Sequence, residues 1–331
     1  MTSLTLVTGA TGFVGAAVVR ALLKRGQRVR VLTRANSSRH NLAGLDVEIA
    51  VGDLLDPASL TAAVAGCASV YHVAADYRLW VPDPAEMFRA NIDGSRALLL
   101  AAQAAGVGRI VYTSSVATLG INPDHTPSDE FTPVSIADMI GTYKKSKFLA
   151  EEEVRRLVRD NNVPVVIVNP SMPVGPGDVK PTPTGRMVVE AALGKMPAYV
   201  DTGLNVVHVD DVAEGHLLAH DKGVVGERYV LGGENLTLAQ ILGLICGIVG
   251  RKPPTVQLPR LPLFPIAVVA EAWGRLTGHE PMLTVDSLKM AAKYMHYSSA
   301  RATHELGYNA RPATQAFADA IDWYRAQGVL P

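Results

Sequence analysis

The stretch Val7-Thr8-Gly9-Ala10-Thr11-Gly12-Phe13-Val14-Gly15 constrains this chain more than any other. It follows an apolar run, Leu4 to Val7, and opens a segment rich in alanine and valine that reads as a helix. Glycine at the first place permits a tight turn. At the second it lets a ligand approach the backbone, and at the third it lets the helix sit close on the strand. A helix N-terminus carries unpaired N–H groups and the positive end of the helix dipole, so the pattern predicts a dinucleotide held by its pyrophosphate. Thr11, Phe13 and Val14 lie between these glycines and join the expected contact set.

Length and composition set the frame for that site. With 331 residues, 48% of them hydrophobic, the chain can bury a large core and form about two domains or one enlarged one. Lys+Arg and Asp+Glu balance at 31 each, and no basic block is interleaved with aromatics, which argues against a nucleic-acid surface. Cys67 and Cys246 are too far apart for metal-ligand spacing or a disulfide framework, so no metal is expected and both read as core. The first residues enter a strand without a basic segment and an apolar one ahead of it, which points to the cytoplasm.

Apolar runs at Val29 to Leu32, Val47 to Val51, Val70 to Val73, Arg109 to Thr113 and Val163 to Val168 alternate with helical stretches. This pattern predicts a parallel sheet covered on both faces. Helices are expected at about 12 to 25, closed by Gly26, at 57 to 65 after Asp56-Pro57, at 84 to 105 and at about 138 to 161. After Asn169 the alternation ends in a stretch rich in proline and glycine, which reads as a binding loop. The later chain reads as mostly helical, with Thr237 and Gln240 as a capping box and Ser299 as a cap for a helix ending before Gly307. Leu258 to Trp273 is apolar but broken by Pro259, Pro262 and Pro265 and too short to span a bilayer. It reads either as a lid or membrane-facing patch for a lipid-like substrate, or as core of the smaller domain.

A second chemical signal is Tyr143-Lys144-Lys145-Ser146-Lys147, whose spacing of four puts Tyr143 and Lys147 on one helix face. A tyrosine with its ordinary pKa near 10 is a weak acid–base group at neutral pH. An adjacent cation is what brings it into range. Val111-Tyr112-Thr113-Ser114-Ser115 ends the fifth strand, and carboxyl ends of strands face the ligand crevice in a doubly wound sheet.

These pieces resemble the extended short-chain dehydrogenase/reductase family, in the branch that holds nucleotide-sugar epimerases, dihydroflavonol reductases and 3β-hydroxysteroid dehydrogenases. Further matching pieces are Gly52-Asp53-Leu54, His72-Val73-Ala74-Ala75, Asn91, Pro170 to Pro176, and Val207 to Ala213. Asp76-Tyr77-Arg78-Leu79-Trp80 and Asn169 to Pro176 are most similar to the hopanoid-associated sugar epimerases. The resemblance covers essentially the whole chain and implies an α/β fold. In it, a Rossmann doubly wound parallel sheet (residues 1–170, with 203–233 returning to it) carries a smaller, mostly helical C-terminal substrate region (171–202 and 234–331). It also implies that Asp53 and Leu54 lie beside the adenine and that Ala74 and Ala75 line the cofactor path. Asn91 and Pro170 join the cofactor set. Ser115 would hold the substrate oxygen, Tyr143 move the proton, and Lys147 lower the tyrosine's pKa while binding the nicotinamide ribose. A homodimer is implied through the helices at 84–105 and 138–161, with Ala97, Leu98, Ala101, Ala102, Ala105, Phe148, Val154 and Leu157 as the apolar face.

Two features qualify the epimerase reading. The second strand ends Val31-Leu32-Thr33-Arg34, with no carboxylate for a ribose 2′-hydroxyl; Arg34 suits a 2′-phosphate, so NADP is expected, with NAD possible, and a solvated surface charge is the plainer alternative. No arginine set for a diphosphate stands out, which brings the flavonoid and steroid reductases forward as an alternative. Val116-Ala117-Thr118 stands where 4,6-dehydratases carry an acidic pair, which argues against elimination chemistry. The expected substrate is a small sugar or lipid-like molecule, with peripheral membrane contact if it is lipid-like. A cofactor-sensing regulator without turnover is the reading from another class, and the presence of Ser115, Tyr143 and Lys147 argues against it.

Overall fold

Seven parallel strands form the centre of the protein, seen here in a computed structural model that describes residues 3–78, 83–277, 281 and 283–331. They are β1 (Leu4–Thr8), β2 (Arg28–Thr33), β3 (Glu48–Val51), β4 (Cys67–His72), β5 (Arg109–Thr113), β6 (Val165–Pro170) and a later strand, β10 (Arg228–Leu231). Their order is β10-β6-β5-β4-β1-β2-β3, so the chain reverses direction between β1 and β4. Buried on both faces, the strands read as unbroken apolar runs, yet their side chains still alternate. Val7, Val31, Tyr71, Val111 and Val166 pack against α1 (Phe13–Lys24) and α7 (Val209–Lys222). Leu6, Leu32, Val70, Ile110 and Val165 pack against α2 (Pro57–Val64), α4 (Gly94–Ala104) and α5 (Gly141–Asn161) on the other side.

The expected helix at 84–105 has a defect. α3 (Pro84–Phe88), capped by the Asp83 side chain, runs into α4 through a π turn at Arg89–Asp93. The turn inserts a residue into the helix and turns Asn91 inward, where it is 2% exposed. α5 begins three residues later than expected, after a separate short turn at Ile136–Asp138, and ends on Asn162 in the left-handed conformation at φ 56°.

The remaining elements build a smaller layer. β7 (Met172–Val174), β9 (Gly203–His208), β11 (Glu234–Thr237) and β13 (Tyr294–Met295) make a four-stranded sheet, and β8 (Ala198–Val200) pairs with β12 (Val256–Leu258). Of the returning segment 203–233, α7 and β10 pack on the large sheet whereas β9 is central to the small one. A third core joins α6 (Pro183–Ala192), α8 (Leu238–Ile248) and α11 (Ala313–Ala326) through Val188, Ile241, Ile245, Phe317 and Ile321. Thr237 and Gln240 do form a capping box at α8. Ser299 does not cap with its side chain: its Oγ accepts from the Gly232 N–H at 2.9 Å, and only its carbonyl meets the helix, at Thr303 N.

Two expectations about surfaces change. Leu98, Ala102, Val154 and Leu157 are buried in the core beneath the large sheet, so they are not available to a dimer face; Ala105 is exposed, Ala97, Ala101 and Phe148 are half-buried, and the large apolar residues of those helices that face outward are Leu100 and Leu149. The apolar stretch from Leu258 onward lies mostly outside the core, although Ala267 is fully buried. α9 (Leu263–Thr277) follows it, and Leu261, Ile266, Val269, Trp273 and Leu276 are all more than half exposed, Leu276 at 84%. Spacings of three and four set the last four on one helix face.

Candidate active site

Every expected cofactor residue in a loop after a strand sits at the carboxyl edge of the large sheet. Gly9 follows β1, Arg34 follows β2, Asp53 and Leu54 follow β3, Ala74 and Ala75 follow β4, and Ser115 follows β5. Pro170 ends β6 and is buried. The glycine turn therefore lies at the reversal between β1 and β4, the usual ligand crevice of such sheets.

The three glycines answer three different demands. Gly9 has φ +71°, and a Cβ there would stand 2.7 Å from the Ala74 nitrogen, so the turn after β1 is pressed against the end of β4. At Gly15 a Cβ would stand 2.2 Å from the Gly9 carbonyl oxygen. Only at Gly12, the N-cap of α1, is the approach open enough for the chain to meet a ligand, and no side chain caps that end. Ala16 is the first amide of the helix to reach a helical acceptor, the Gly12 carbonyl at 3.0 Å. The amides of Phe13, Val14 and Gly15 are thus left for an anion. Asn41, which sequence reasoning missed, ties this turn down: its Nδ2 donates to the carbonyls of Thr11, at 3.2 Å, and Gly177, at 3.1 Å.

Two arginines stand at the outer end of the crevice, Arg34 and Arg78. Arg34 is exposed at the tip of β2. Burial pushes the nearby Asp76 carboxyl up, but Arg78 in direct contact, with Arg34 behind it, holds the group below its usual value. Thr33 Oγ1, on the same edge, is buried without a partner. An open helix N-terminus and tight glycine packing fit a nicotinamide dinucleotide held by its pyrophosphate. Asp53 faces its own loop, accepting from the Leu55 N–H at 2.9 Å, and Leu54 covers Gly94 on α4.

At the inner end, Ser115 caps the short turn Val116–Thr118, its Oγ accepting from the Ala117 N–H at 3.1 Å. Its hydroxyl also bonds the phenol of Tyr143. Tyr143 lies on the first turn of α5 with its phenol toward Ser115. Burial raises the phenol's pKa, and the serine side chain pulls it back. Lys147, 2% exposed, donates from Nζ to the Thr113 carbonyl at 2.9 Å and sits over the Tyr112 ring. Burial pushes its ammonium down to about 8, with the Glu151 carboxylate acting in the other direction.

Asn91 departs from its expected role. Its Oδ1 accepts from the Asp76 N–H at 2.7 Å, and its Nδ2 donates to the Asp76 carbonyl at 2.9 Å and to Ser146 Oγ at 3.0 Å. Both amide hydrogens are occupied within the protein, so Asn91 anchors the loop after β4 to the catalytic helix instead of reaching for cofactor. It also ends a buried chain that begins at the glycine turn. Burial, with Lys147 adding to it, pushes His72 down to about 3, so its ring is neutral. Thr8 donates to Nδ1 at 2.7 Å, Nε2 then donates to Ser95 Oγ at 2.9 Å, and Ser95 donates to the Asn91 carbonyl at 2.6 Å. That direction is the one in which every hydrogen has an acceptor.

A carboxylate reaches the serine loop after all, from α5 and not from residues 116–118. Glu151 Oε2 accepts from Ser114 Oγ, from Thr118 Oγ1 at 2.8 Å and from Asn169 Nδ2 at 2.9 Å; Oε1 pairs with Arg228 at 3.0 Å. Asn169 Nδ2 also donates to the Ser115 carbonyl at 3.0 Å. With three donors on Oε2 and the Arg228 guanidinium on Oε1, Glu151 is a fastening for the loop and not a free base. Its sequence signal was the repeat of four from Tyr143 through Lys147.

His216 and His220 have a spacing that can signal a metal on a helix, but they turn apart. His216 bridges Thr113 Oγ1 and the Val212 carbonyl, and His220 bridges Ser69 and Asp221. No cluster of three metal-ligating side chains occurs among the described residues. The motif residues Leu79 and Trp80, within 79–82, lie outside those described.

This arrangement is matched by known proteins. Residues 5–232 match the model of the NAD dependent epimerase/dehydratase family, and the chain belongs to that family, with an extended short-chain dehydrogenase/reductase fold. It is an NAD(P)-dependent enzyme acting on a small molecule. A putative dihydroflavonol 4-reductase of Synechocystis sp. is 43% identical over 98% of this chain and 95% of its own length. Sterol demethylase protein B of Methylococcus capsulatus is 38% identical over 98% of this chain and 99% of its own. The solved structure of gox2253 is 55% identical, covers 99% of this chain and 100% of its own, and superposes with a TM-score of 0.91.

Proposed function

We propose that the protein is an NADP-dependent carbonyl reductase whose substrate is lipid-like. The observation that carries this reading is the convergence of Ser115, Tyr143 and a buried Lys147 at the carboxyl end of β5. Ser115, oriented by the Ala117 N–H, turns its hydroxyl hydrogen to the substrate's carbonyl oxygen. Tyr143 then gives that oxygen its proton. Lys147 keeps two N–H donors after its bond to Thr113, enough to hold a ribose and to stabilise the phenolate that Tyr143 becomes. A bound NADPH would supply the hydride. The name of one curated relative, a putative dihydroflavonol 4-reductase, agrees with reduction, and that of another, sterol demethylase protein B, with an apolar skeleton. A hopanoid-associated sugar epimerase would use the same three residues but return the hydride. A screen of ketones and nucleotide sugars for NADPH consumption separates the two.

The cofactor preference rests on Arg34. A charge-assisted contact to a 2′-phosphate is worth about 1.5–3 kcal/mol, so NADPH should bind at least ~10-fold more tightly than NADH. Arg34→Asp should reverse the order. Equal affinities in the parent, measured by fluorescence titration, would remove this part of the reading.

The exposed face of α9 supports contact with a lipid surface from the cytoplasmic side. α10 (Val285–Met290) links that helix to the site: its first amide donates to Glu271 of α9 at 2.7 Å, and Asp286 lies against Gly141 at the start of α5. Apolar side chains at this density, with a tryptophan among them, suit the boundary of a bilayer. The protein should sediment with phospholipid vesicles, and Trp273→Asp combined with Leu276→Asp should abolish that. Sedimentation equal in parent and variant, or absent in both, counts against the contact. A homodimer would use the outward strip of α4 and α5 that carries Leu100 and Leu149.

A further inference from the structure

Lys144 follows Tyr143 in sequence and is 9% exposed, yet its ammonium meets no carboxylate among the described residues. The one partner it reaches is the thioether of Met295, at 3.9 Å from Nζ. Lys147 offers the contrast: it is equally sequestered but has a backbone carbonyl to bond and Glu151 behind it. Burial pushes Lys144 down to about 8, and Lys293, another cation, pushes the same way. A cation left in this state lacks its counter-ion.

The surroundings of Lys144 are those of the reacting centre. Met295 packs into the small cluster of Leu119, Val230 and Tyr297, and so does Val116. Val116 directly follows Ser115, as Lys144 directly follows Tyr143. Val116 and the methionine that Lys144 reaches thus pack against one cluster, where β13 of the small sheet meets the serine loop. A single ammonium bedded in thioether and aliphatic groups suits a singly charged, partly apolar ligand better than a diphosphate, which calls for several donors.

We propose that Lys144 is a substrate-recognition residue that binds a carboxylate borne near the reacting carbonyl, which makes the substrate an oxo acid with an apolar remainder. This deepens the reductase reading and rests on it for the word substrate. The test compares a freshly prepared medium-chain 3-oxo acid with its methyl ester on the full-length protein with NADPH. The parent should favour the acid in kcat/KM by ~10- to 100-fold, mainly through KM, as one charge-assisted contact gives. In Lys144→Met the acid-to-ester ratio should collapse toward unity, and Lys144→Arg should keep part of it. A parent without preference for the acid, or a ratio unchanged in Lys144→Met, overturns the proposal whatever the absolute rates. Calorimetric binding of the acid and ester to the enzyme with NADP+ gives the same ratio without turnover. If neither compound is reduced but the acid binds in a Lys144-dependent way, the reductase reading fails and the carboxylate site stands. If binding also shows no such dependence, the site falls.

Discussion

Tyr143→Phe should lower turnover by about two to four orders of magnitude while cofactor affinity stays near that of the parent. The phenol is the group on α5 that faces Ser115, and removing one oxygen takes away the proton donor without disturbing packing. Neither the glycine turn nor Lys147 depends on that oxygen: the turn is set by Gly9 against Ala74, and Lys147 by its bond to Thr113. Steady-state rates on the best ketone, paired with cofactor titration, check both halves. Near-parental turnover would remove Tyr143 from the chemistry, and lost cofactor binding would make its role structural.

The second large effect concerns the fastening beneath Ser115. Glu151→Ala should destabilise the fold by about 3–5 kcal/mol, because Arg228 stays behind in a partly closed site with its countercharge gone. Ser114, Thr118 and Asn169 lose their shared acceptor in the same change, so the loop that holds Ser115 should loosen as well. Glu151→Gln keeps the shape and one acceptor oxygen and should lose less. Denaturant unfolding measures this directly, and a loss for Glu151→Ala below about 1 kcal/mol would show that the network is not what holds the loop.

What could be read from the amino-acid order follows from how local each signal is. Strands buried on two faces give unbroken runs such as Val165 to Val168, and Gly9, Gly12 and Gly15 are fixed by a turn only nine residues from the start, so sheet and cradle were legible. The π turn at Arg89–Asp93 carries no local mark. It is stabilised by what Asn91 meets, Asp76 and Ser146, and these are distant in sequence. Glu151 lay hidden because Arg228 and Asn169, which define its role, come from other strands. The short strands of the small sheet lie among prolines and glycines and depend on their partners for pairing. For Leu261 to Leu276, composition alone could not separate an apolar face turned inward from one turned outward.

The central claim is net reduction: hydride leaves NADPH and stays on the product. Incubating the protein with NADPH deuterated at the transferable position and a reducible ketone, followed by mass spectrometry of the released alcohol, tests it most directly. One deuterium is expected at the carbinol carbon for each cofactor oxidised, with labelled product from Tyr143→Phe forming about two to four orders of magnitude more slowly. Product formed without net loss of NADPH, as in an epimerase that returns its hydride, would contradict it.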